Sequence, residues 1–562
     1  MPAPGFRWTD YEVPADGGGE TFELLATAQT GAPAPATVTI ALPDLSDFPT
    51  PREKAEVLLQ SAAEVEHALM VQYLYAAYSL KAARDVTDPA HKAALRETSE
   101  IAWPTVLLGI AREEMGHLMT VQNLLLLLAM APNLEREDFP PQKDLYPFKL
   151  HLEPVSQRSL AKYVVAEAPA GAPGIEDIAA LATDSAGTTI NRVGTLYGLL
   201  GLIFAAPDQL GPGASGDETW DAMVRQLSVA AFEQAPAETW HLPDDAFDAS
   251  SLARQADPAA WQVGDVRVHR MADRAAAVQA IRDVGEQGEG PIGAGELSHF
   301  GRFLTIFRGQ TGVVPFPAPS EWTPTRDVPT DPTVGDIGDA RTRRWAELAD
   351  IRYALLLGFV EHYLLARAVH RDLLTAWIFA EMRSRIGYIA RLLTTLPRGD
   401  ATATAAVAAI PFTLPAVIHL PADEAARWDL HRERTNAAIA KVQAMQAAGD
   451  ATDEVIGKYL ADMLASDAAR ISLIEQLPAT APIPTSFARD IQPLFRPKDI
   501  DHMDNLGVIL DVYEKVDERR DAILERLAAP DDLDVMPKPP DPRWTEPQLE
   551  LFRRWIAENR PR

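Results

Sequence analysis

The chain alternates between long segments in which apolar residues recur with helical spacing and shorter segments rich in proline and glycine. Residues 51–132 hold two helical segments, PREKAEVLLQSAAEVEHALMVQYLYAAYSLKAAR and WPTVLLGIAREEMGHLMTVQNLLLLLAMAP, joined by a charged connection, and Pro132 ends the second. Two long helices joined in this way predict an antiparallel pair. The next helical segment, NRVGTLYGLLGLIFAA, is almost wholly apolar and predicts a buried helix.

The same pattern divides the chain into four parts. Residues 1–50 predict an arm with a short β element at ATVTIALPDL, and residues 51–311 predict a helical bundle with insertions. Within the bundle part, residues 207–265 are rich in Pro, Asp and Gly and predict loops, whereas ADRAAAVQAIRDVGEQ and GELSHFGRFLTIFRG predict helices. Residues 339–480 predict an additional helical region that packs on the bundle, and residues 485–562 a small C-terminal helical domain. The predicted fold class is therefore mainly α.

Net charge and cysteine content exclude several classes of partner and of metal or cofactor site. Of 562 residues, 80 are acidic and 52 are Lys or Arg, so the formal net charge is -28, which argues against nucleic acid or an anionic membrane as partner. The absence of cysteine excludes disulfides, thiolate metal sites and cysteine-attached haem. The start, MPAPGFRWTDYEVP, does not resemble a signal peptide, and the uncharged apolar stretch Val193–Pro207 falls short of the ~18 residues of a spanning helix. We therefore expect a soluble, cytoplasmic protein.

Carboxylates and histidines on apolar helix faces form the candidate site. Glu114–His117 and Glu296–His299 are Glu-x-x-His pairs, and Glu66 lies on an apolar face of the first helix. The i, i+3 spacing places both side chains of a pair within reach of one ion, and four-helix bundles that bind two metals use this pattern. Carboxylate with imidazole suits iron or manganese and leaves positions open for O2. The alternative is a structural hydrogen bond within each buried pair.

Other features of the sequence add no further residues to the candidate metal ligands. Glu64–His67 is offset from the apolar face, and Glu238–His241 stands between prolines and is interpreted as a chance match. The third apolar segment, NRVGTLYGLLGLIF, contains no carboxylate, so a sixth ligand is not accounted for. Aromatic residues near the site are expected mainly in the core, with electron relay or substrate binding as the alternative; they are Tyr73, Tyr75, Tyr78 and Tyr197.

Three segments together carry a family resemblance. EVEHALMVQYLYAAYSL, AREEMGHLMTVQNLL and QGEG followed by SHFGRF resemble the bacterial ferritin-like family that includes part of the violacein- and rebeccamycin-pathway dimer synthases of the iminophenyl-pyruvate type. The resemblance covers roughly residues 50–430 and implies a ferritin-like four-helix bundle that binds metal. Some relatives carry an acid where this chain has Thr195, which leaves open one metal or an asymmetric pair. The metal set that the resemblance implies is Glu66, Glu114, His117, His299 and either Glu296 or Glu289.

The C-terminal segment, SFARDIQPLFRPKDIDHM and the residues after it, resembles a cytochrome c domain without its haem attachment motif. Lys498-Asp499-Ile500-Asp501-His502 stands where such domains have Cys-x-x-Cys-His, and His502 and Met536 stand at the positions of axial ligands. Without thiols no covalent haem can form. We expect a haem-free packing or interaction module, with non-covalent haem as the alternative.

The leading hypothesis is a non-haem iron enzyme, an oxidase or oxygenase with one or two iron ions; manganese is the second choice of metal. It would use O2 or peroxide to oxidise a small amino-acid-derived or aromatic metabolite in a biosynthetic pathway. The alternatives are an imine-dimer synthase acting after an amino-acid oxidase, and a non-catalytic scaffold with a structural acid cluster. Expected partners are the small-molecule substrate and O2 or peroxide, with no nucleic acid and no membrane; a homodimer or an upstream oxidase partner is left open. The catalytic residues are not assigned.

Overall fold

The structure is a computed structural model, which describes residues 7–14, 37–97, 99–141, 148–168, 172, 174–183, 193–210, 218–261, 266–289, 298–309, 313–318, 322–366, 368–399, 406–416, 418–477, 485–504, 508–529, 536–537 and 543–557. Among the helices in those ranges, none combines the length and the apolar character that crossing a membrane would require. The described helices are α1 (Pro51–Ser79), α2 (Pro89–Ala94), α3 (Trp103–Leu127), α4 (Gln157–Ala166), α5 (Glu176–Thr183), α6 (Val193–Phe204), α7 (Glu218–Gln234), α8 (Pro258–Trp261), α9 (Arg274–Glu289), α10 (His299–Arg308), α11 (Ala340–Leu365), α12 (Ala368–Phe379), α13 (Gly387–Leu393), α14 (Glu424–Ala447), α15 (Glu454–Gln476), α16 (Pro497–Asp504), α17 (Tyr513–Leu527) and α18 (Glu546–Ala557).

Two strands precede the helices. Strand β1 (Trp8–Pro14) pairs antiparallel with β2 (Thr37–Pro43), with Trp8 opposite Pro43. The segment predicted as one short strand is thus the second strand of a hairpin-like pair, which packs on α7. Ile40, Ala41 and Leu42 are all buried, so the second half of β2 is covered on both faces.

The bundle consists of α1, α3, α6 and α9. Helix α1 begins with a capping box, in which Thr50 accepts from the backbone of Glu53 and the Glu53 carboxylate accepts from the backbone N–H of Thr50 at 2.8 Å. Arg52, at the start of α1, donates to the carbonyl of Leu128 just after α3 at 2.6 Å, so these two helices run antiparallel. Helix α6 packs on α1 and on α9, and α9 also contacts α3. The predicted mainly α fold with a four-helix bundle is confirmed.

Helix α7 lies within residues 207–265, where loops were predicted. Its apolar residues Trp220, Val224 and Leu227 recur with helical spacing and are buried. Glycines of α6 let α7 approach closely, since a Cβ added at Gly198 would lie 2.2 Å from Leu227 Cδ1. The loop prediction was wrong because Pro, Asp and Gly on both sides dominated the composition of this region.

One continuous core joins the bundle to the second helical region, which α11 to α15 form. His67 of α1 links the two: its Nδ1 donates to the Leu134 carbonyl at 2.9 Å, and its Nε2 accepts from the Tyr353 hydroxyl of α11. A π-helical segment, Ala380–Ile386, joins α12 to α13. The C-terminal helices α16 to α18 surround a separate small core that contains Phe552.

The burial of His67 predicts that the free energy of unfolding falls in acid. Burial, and then the charge of Arg136, lower the pKa of His67 to about 3. Above pH 6.5 the ring is neutral in both states, but below it the unfolded chain binds a proton that the folded chain does not. Stability therefore falls by up to ~1.4 kcal/mol per pH unit between those two pKa values. His67→Gln keeps a donor and an acceptor without titrating there, so urea unfolding at pH 7.5 and 5 should show a smaller acid loss; equal losses would exclude this role.

Candidate metal centre

Glu66 is the contribution of α1. Its side chain is buried and faces α3 and α6 from the middle of the helix. The hydroxyl of Tyr197, on α6, donates to Oε1 of Glu66. Oε2 of Glu66 lies 3.5 Å from His117 Nδ1 and has no hydrogen-bond partner. One oxygen of this carboxylate is therefore fixed, and the other points toward the histidine.

Helix α3 supplies Glu114 and His117, whose i, i+3 spacing puts both on the same face. Nδ1 of His117 lies 2.9 Å from Oε2 of Glu114, and its Nε2 lies 3.1 Å from the side-chain oxygen of Gln287 on α9. The amide nitrogen of Gln287 in turn donates to Glu113 at 2.9 Å. Gln287 thus holds the outer nitrogen of the ring, which leaves Nδ1 facing the carboxylates.

His299 is the first residue of α10, a short helix outside the bundle that Ser298 caps. Its Nδ1 lies 3.1 Å from Glu114 Oε1, and its Nε2 lies 2.9 Å from Glu113 Oε2. Arg302, one turn further along α10, donates to both oxygens of Glu113 and holds that carboxylate beside the ring. The rings of His299 and His117 stack, with centroids 5.3 Å apart. Both histidines therefore present Nδ1 to the same space.

Glu167 completes the group. It is the C-cap residue of α4, and it was not predicted from the sequence. Its Oε2 lies 3.8 Å from His299 Nδ1, and its Oε1 accepts from the Tyr73 hydroxyl at 2.7 Å. Sequence reasoning missed Glu167 because it belongs to no Glu-x-x-His pair and no bundle helix. The available signal was a lone acid in the apolar run KYVVAEAP, where an uncompensated charge is costly to bury.

The atoms of this group that face the cavity are of the kind that bind a cation. Glu66 Oε2, Glu114 Oε1 and His299 Nδ1 are buried and make no hydrogen bond of good geometry, although the last two lie 3.1 Å apart as an ion pair. One ligand atom each from Glu114, His117 and His299 lie within 4.8 Å of one another. A cavity of about 10 Å³ beside them is large enough for a single water-sized species. Holding the outer nitrogen of a metal-binding histidine with an acceptor is a common feature of metal sites. The residues present therefore fit a metal ion.

The carboxylates and histidines of this group shift one another's pKa values. Burial, and then the charge of Glu114, raise the pKa of Glu66 to about 7. Burial disfavours the charged form of His117, but its hydrogen bond to Glu114 and the nearby carboxylate of Glu66 outweigh burial and raise the pKa of His117 to about 10. The pKa of His299 is also raised well above its usual range, against burial, by Glu114 and its other carboxylate neighbours. Protons on the histidines balance the buried carboxylates, and a metal ion would displace those protons.

The other predicted positions fall outside this group or outside the described residues. Glu296 lies in the segment 290–297, and Glu289 ends α9 with a side chain that is not described, so the choice between them stays a prediction. Helix α6 lines the cavity with Tyr197 and no carboxylate. The histidines of the other two Glu-x-x-His pairs lie elsewhere. Nε2 of His67 contacts the Tyr353 hydroxyl, and Nδ1 of His241 lies 3.0 Å from the Ala205 carbonyl oxygen.

A match to one family model agrees with this architecture. Residues 59–308 match the family model described as Ferritin-like. A solved structure of a ferritin-like protein from Caulobacter vibrioides is similar with 16% identity and a TM-score of 0.35, covering 64% of this chain and 97% of its own. Comparison with curated proteins gave no match. The fold of the bundle is ferritin-like, and this superfamily includes both di-iron enzymes and iron-storage proteins.

Proposed function

We propose that the bundle holds a non-haem iron centre and that the protein is an oxidoreductase, which uses O2 or peroxide to oxidise a small organic molecule. The observation that carries this proposal is the convergence of buried ligand atoms from Glu66, Glu114 and His299 on one small space. His299 Nδ1 and Glu114 Oε1 lie 3.1 Å apart as an ion pair, but Oε2 of Glu66 has no hydrogen-bond partner. An unsatisfied buried polar atom destabilises the fold by about 1–3 kcal/mol, and a bound cation would remove that cost.

The proposed ligands are three carboxylates and two imidazoles, those of Glu66, Glu114, Glu167, His117 and His299. Five donors exceed the four that a structural zinc site uses, and carboxylate with imidazole is the donor set of non-haem iron proteins. Glu113 is balanced by Arg302, so it is assigned the task of holding His299 rather than binding metal. When bound, iron would supply the redox chemistry.

The chain's own residues orient these ligands and limit access to them. Tyr197 fixes one oxygen of Glu66, and Tyr73 fixes one oxygen of Glu167. Leu69 and Val284 line the cavity and exclude bulk water. A cavity of about 10 Å³ is too small for an organic substrate, which would approach its edge. The more specific imine-dimer synthase hypothesis stays a prediction from sequence resemblance.

Replacing Glu66 should remove the reaction with O2. We expect wild-type protein loaded with ferrous iron under nitrogen to consume O2 after mixing with aerated buffer, and Glu66→Gln to consume it at least about tenfold more slowly, since a lost ligand weakens the metal site. Glu64→Gln is the matched control, because Glu64 is on the same helix, is 2% exposed against 1% for Glu66, and does not line the cavity. An oxygen electrode measures both rates. Equal consumption by the two variants would contradict the role of Glu66.

A further inference from the structure

A cavity of about 470 Å³ lies in the C-terminal helical unit, away from the proposed metal centre. Helices α16 and α17 line it together with Phe495, Trp544 and the Met536-Pro537 segment. The volume is within the range of cavities that bind small organic molecules. These dimensions favour a resident ligand.

The lining indicates the chemistry of that ligand. Ten of the fourteen lining residues are apolar, and the rings of Phe495 and Trp544 lie with centroids 5.3 Å apart on its wall. The polar residues are Asp499, His502, Arg519 and Arg526. Asp499 accepts two bonds of 2.7 Å from Arg496, so its charge is already balanced.

The two arginines place positive charge at the cavity of a chain with a net charge of -28. Arg519 and Arg526 lie on the face of α17 that also carries Ala522 and Ile523 into the lining. Guanidinium groups bind carboxylates through paired hydrogen bonds. We propose that this cavity binds a flat, apolar molecule that bears a carboxylate, with its ring system against Phe495 and Trp544 and its carboxylate at the arginines.

Titration of the full-length chain with 2-naphthoate, followed by Trp fluorescence and calorimetry, tests the proposal. We expect saturable binding, and affinity about tenfold lower in Arg519→Gln and in Arg526→Gln, because each loses a charge-assisted hydrogen bond. Arg520→Gln is the matched control, since Arg520 is on the same helix, bonds to Asp517 and does not line the cavity. Ala522→Phe should narrow the cavity and weaken binding, with an unchanged helical circular dichroism spectrum.

Hemin, which combines a flat apolar ring with two carboxylates, is titrated in parallel. A Soret band that depends on His502 or Met536 would show that the carboxylate-bearing ligand is an iron macrocycle. Binding of naphthoate without binding of hemin would show that the ligand is a metal-free acid. Both results support the proposal. The proposal is overturned if neither compound binds, or if both arginine variants bind as wild type does. None of these outcomes depends on metal in the bundle.

Discussion

Glu114→Ala protein is expected to be purified without metal, whereas wild-type protein retains it. Both oxygens of Glu114 face the proposed centre: Oε2 lies 2.9 Å from Nδ1 of His117, and Oε1 lies 3.1 Å from Nδ1 of His299. The alanine variant loses a shared ligand, so metal affinity should fall more than about 100-fold, beyond the effect of changing a residue that only orients a ligand. Inductively coupled plasma mass spectrometry after gel filtration measures the metal content.

The matched control is Glu424→Ala. Glu424 is also buried and also pairs with a histidine, since His370 Nδ1 lies 2.7 Å from its Oε1, but this pair is in the second helical region. Its loss should cost stability and leave the metal content unchanged. Full metal occupancy in Glu114→Ala, or equal losses in the two variants, would show that the ligand assignment is wrong.

Gly116→Ala is expected to destabilise the protein and disturb the centre, although alanine favours helices. Gly116 stands between Glu114 and His117 on α3, and a Cβ there would lie 2.4 Å from the backbone oxygen of Arg267. Backbone cannot yield as a flexible side chain can, so overpacking should cost about 1–3 kcal/mol. The shift of α3 should also lower the metal content. Urea unfolding and metal analysis measure the two effects.

Gly109→Ala on the same helix is the control for this prediction. A Cβ at Gly109 would meet only the side chains of Arg302 and Arg112, at 3.8 and 3.9 Å, which is ordinary contact. Its expected effect is neutral or stabilising by up to ~1 kcal/mol, because alanine is the better helix former. If Gly116→Ala were as stable as Gly109→Ala, the close approach of the Arg267 backbone to α3 would be disproved.

The helical fold could be predicted from the sequence because its signal is local. Apolar residues at helical spacing mark α1, α3 and α6, but α3 ends at Leu127, before the Pro132 at which its end was predicted. Helix α7 has the same kind of signal in Trp220 and Val224, but the polar, proline-rich surroundings concealed it. The antiparallel pairing of α1 with α3 was predicted because two long helices follow each other along the chain with a charged connection between them.

The site could be predicted only in part, because it is assembled from distant segments. Glu-x-x-His spacing led to Glu114 and His117, and the apolar face of the first helix led to Glu66. Glu167 comes from a helix outside the bundle, and its approach to His299 depends on tertiary packing that no spacing rule encodes. Whether these residues bind metal, and whether Glu289 or Glu296 joins them, stays a prediction.

The metal content of the wild-type chain tests the central proposal most directly. Protein incubated with ferrous iron under nitrogen and freed of excess metal by gel filtration should contain about one or two iron atoms per chain. Removing them with a chelator should lower the unfolding temperature, because an ion that binds only the folded state stabilises it. Protein that retains no iron or manganese, and whose unfolding temperature is the same with and without chelator, would contradict the proposed metal centre.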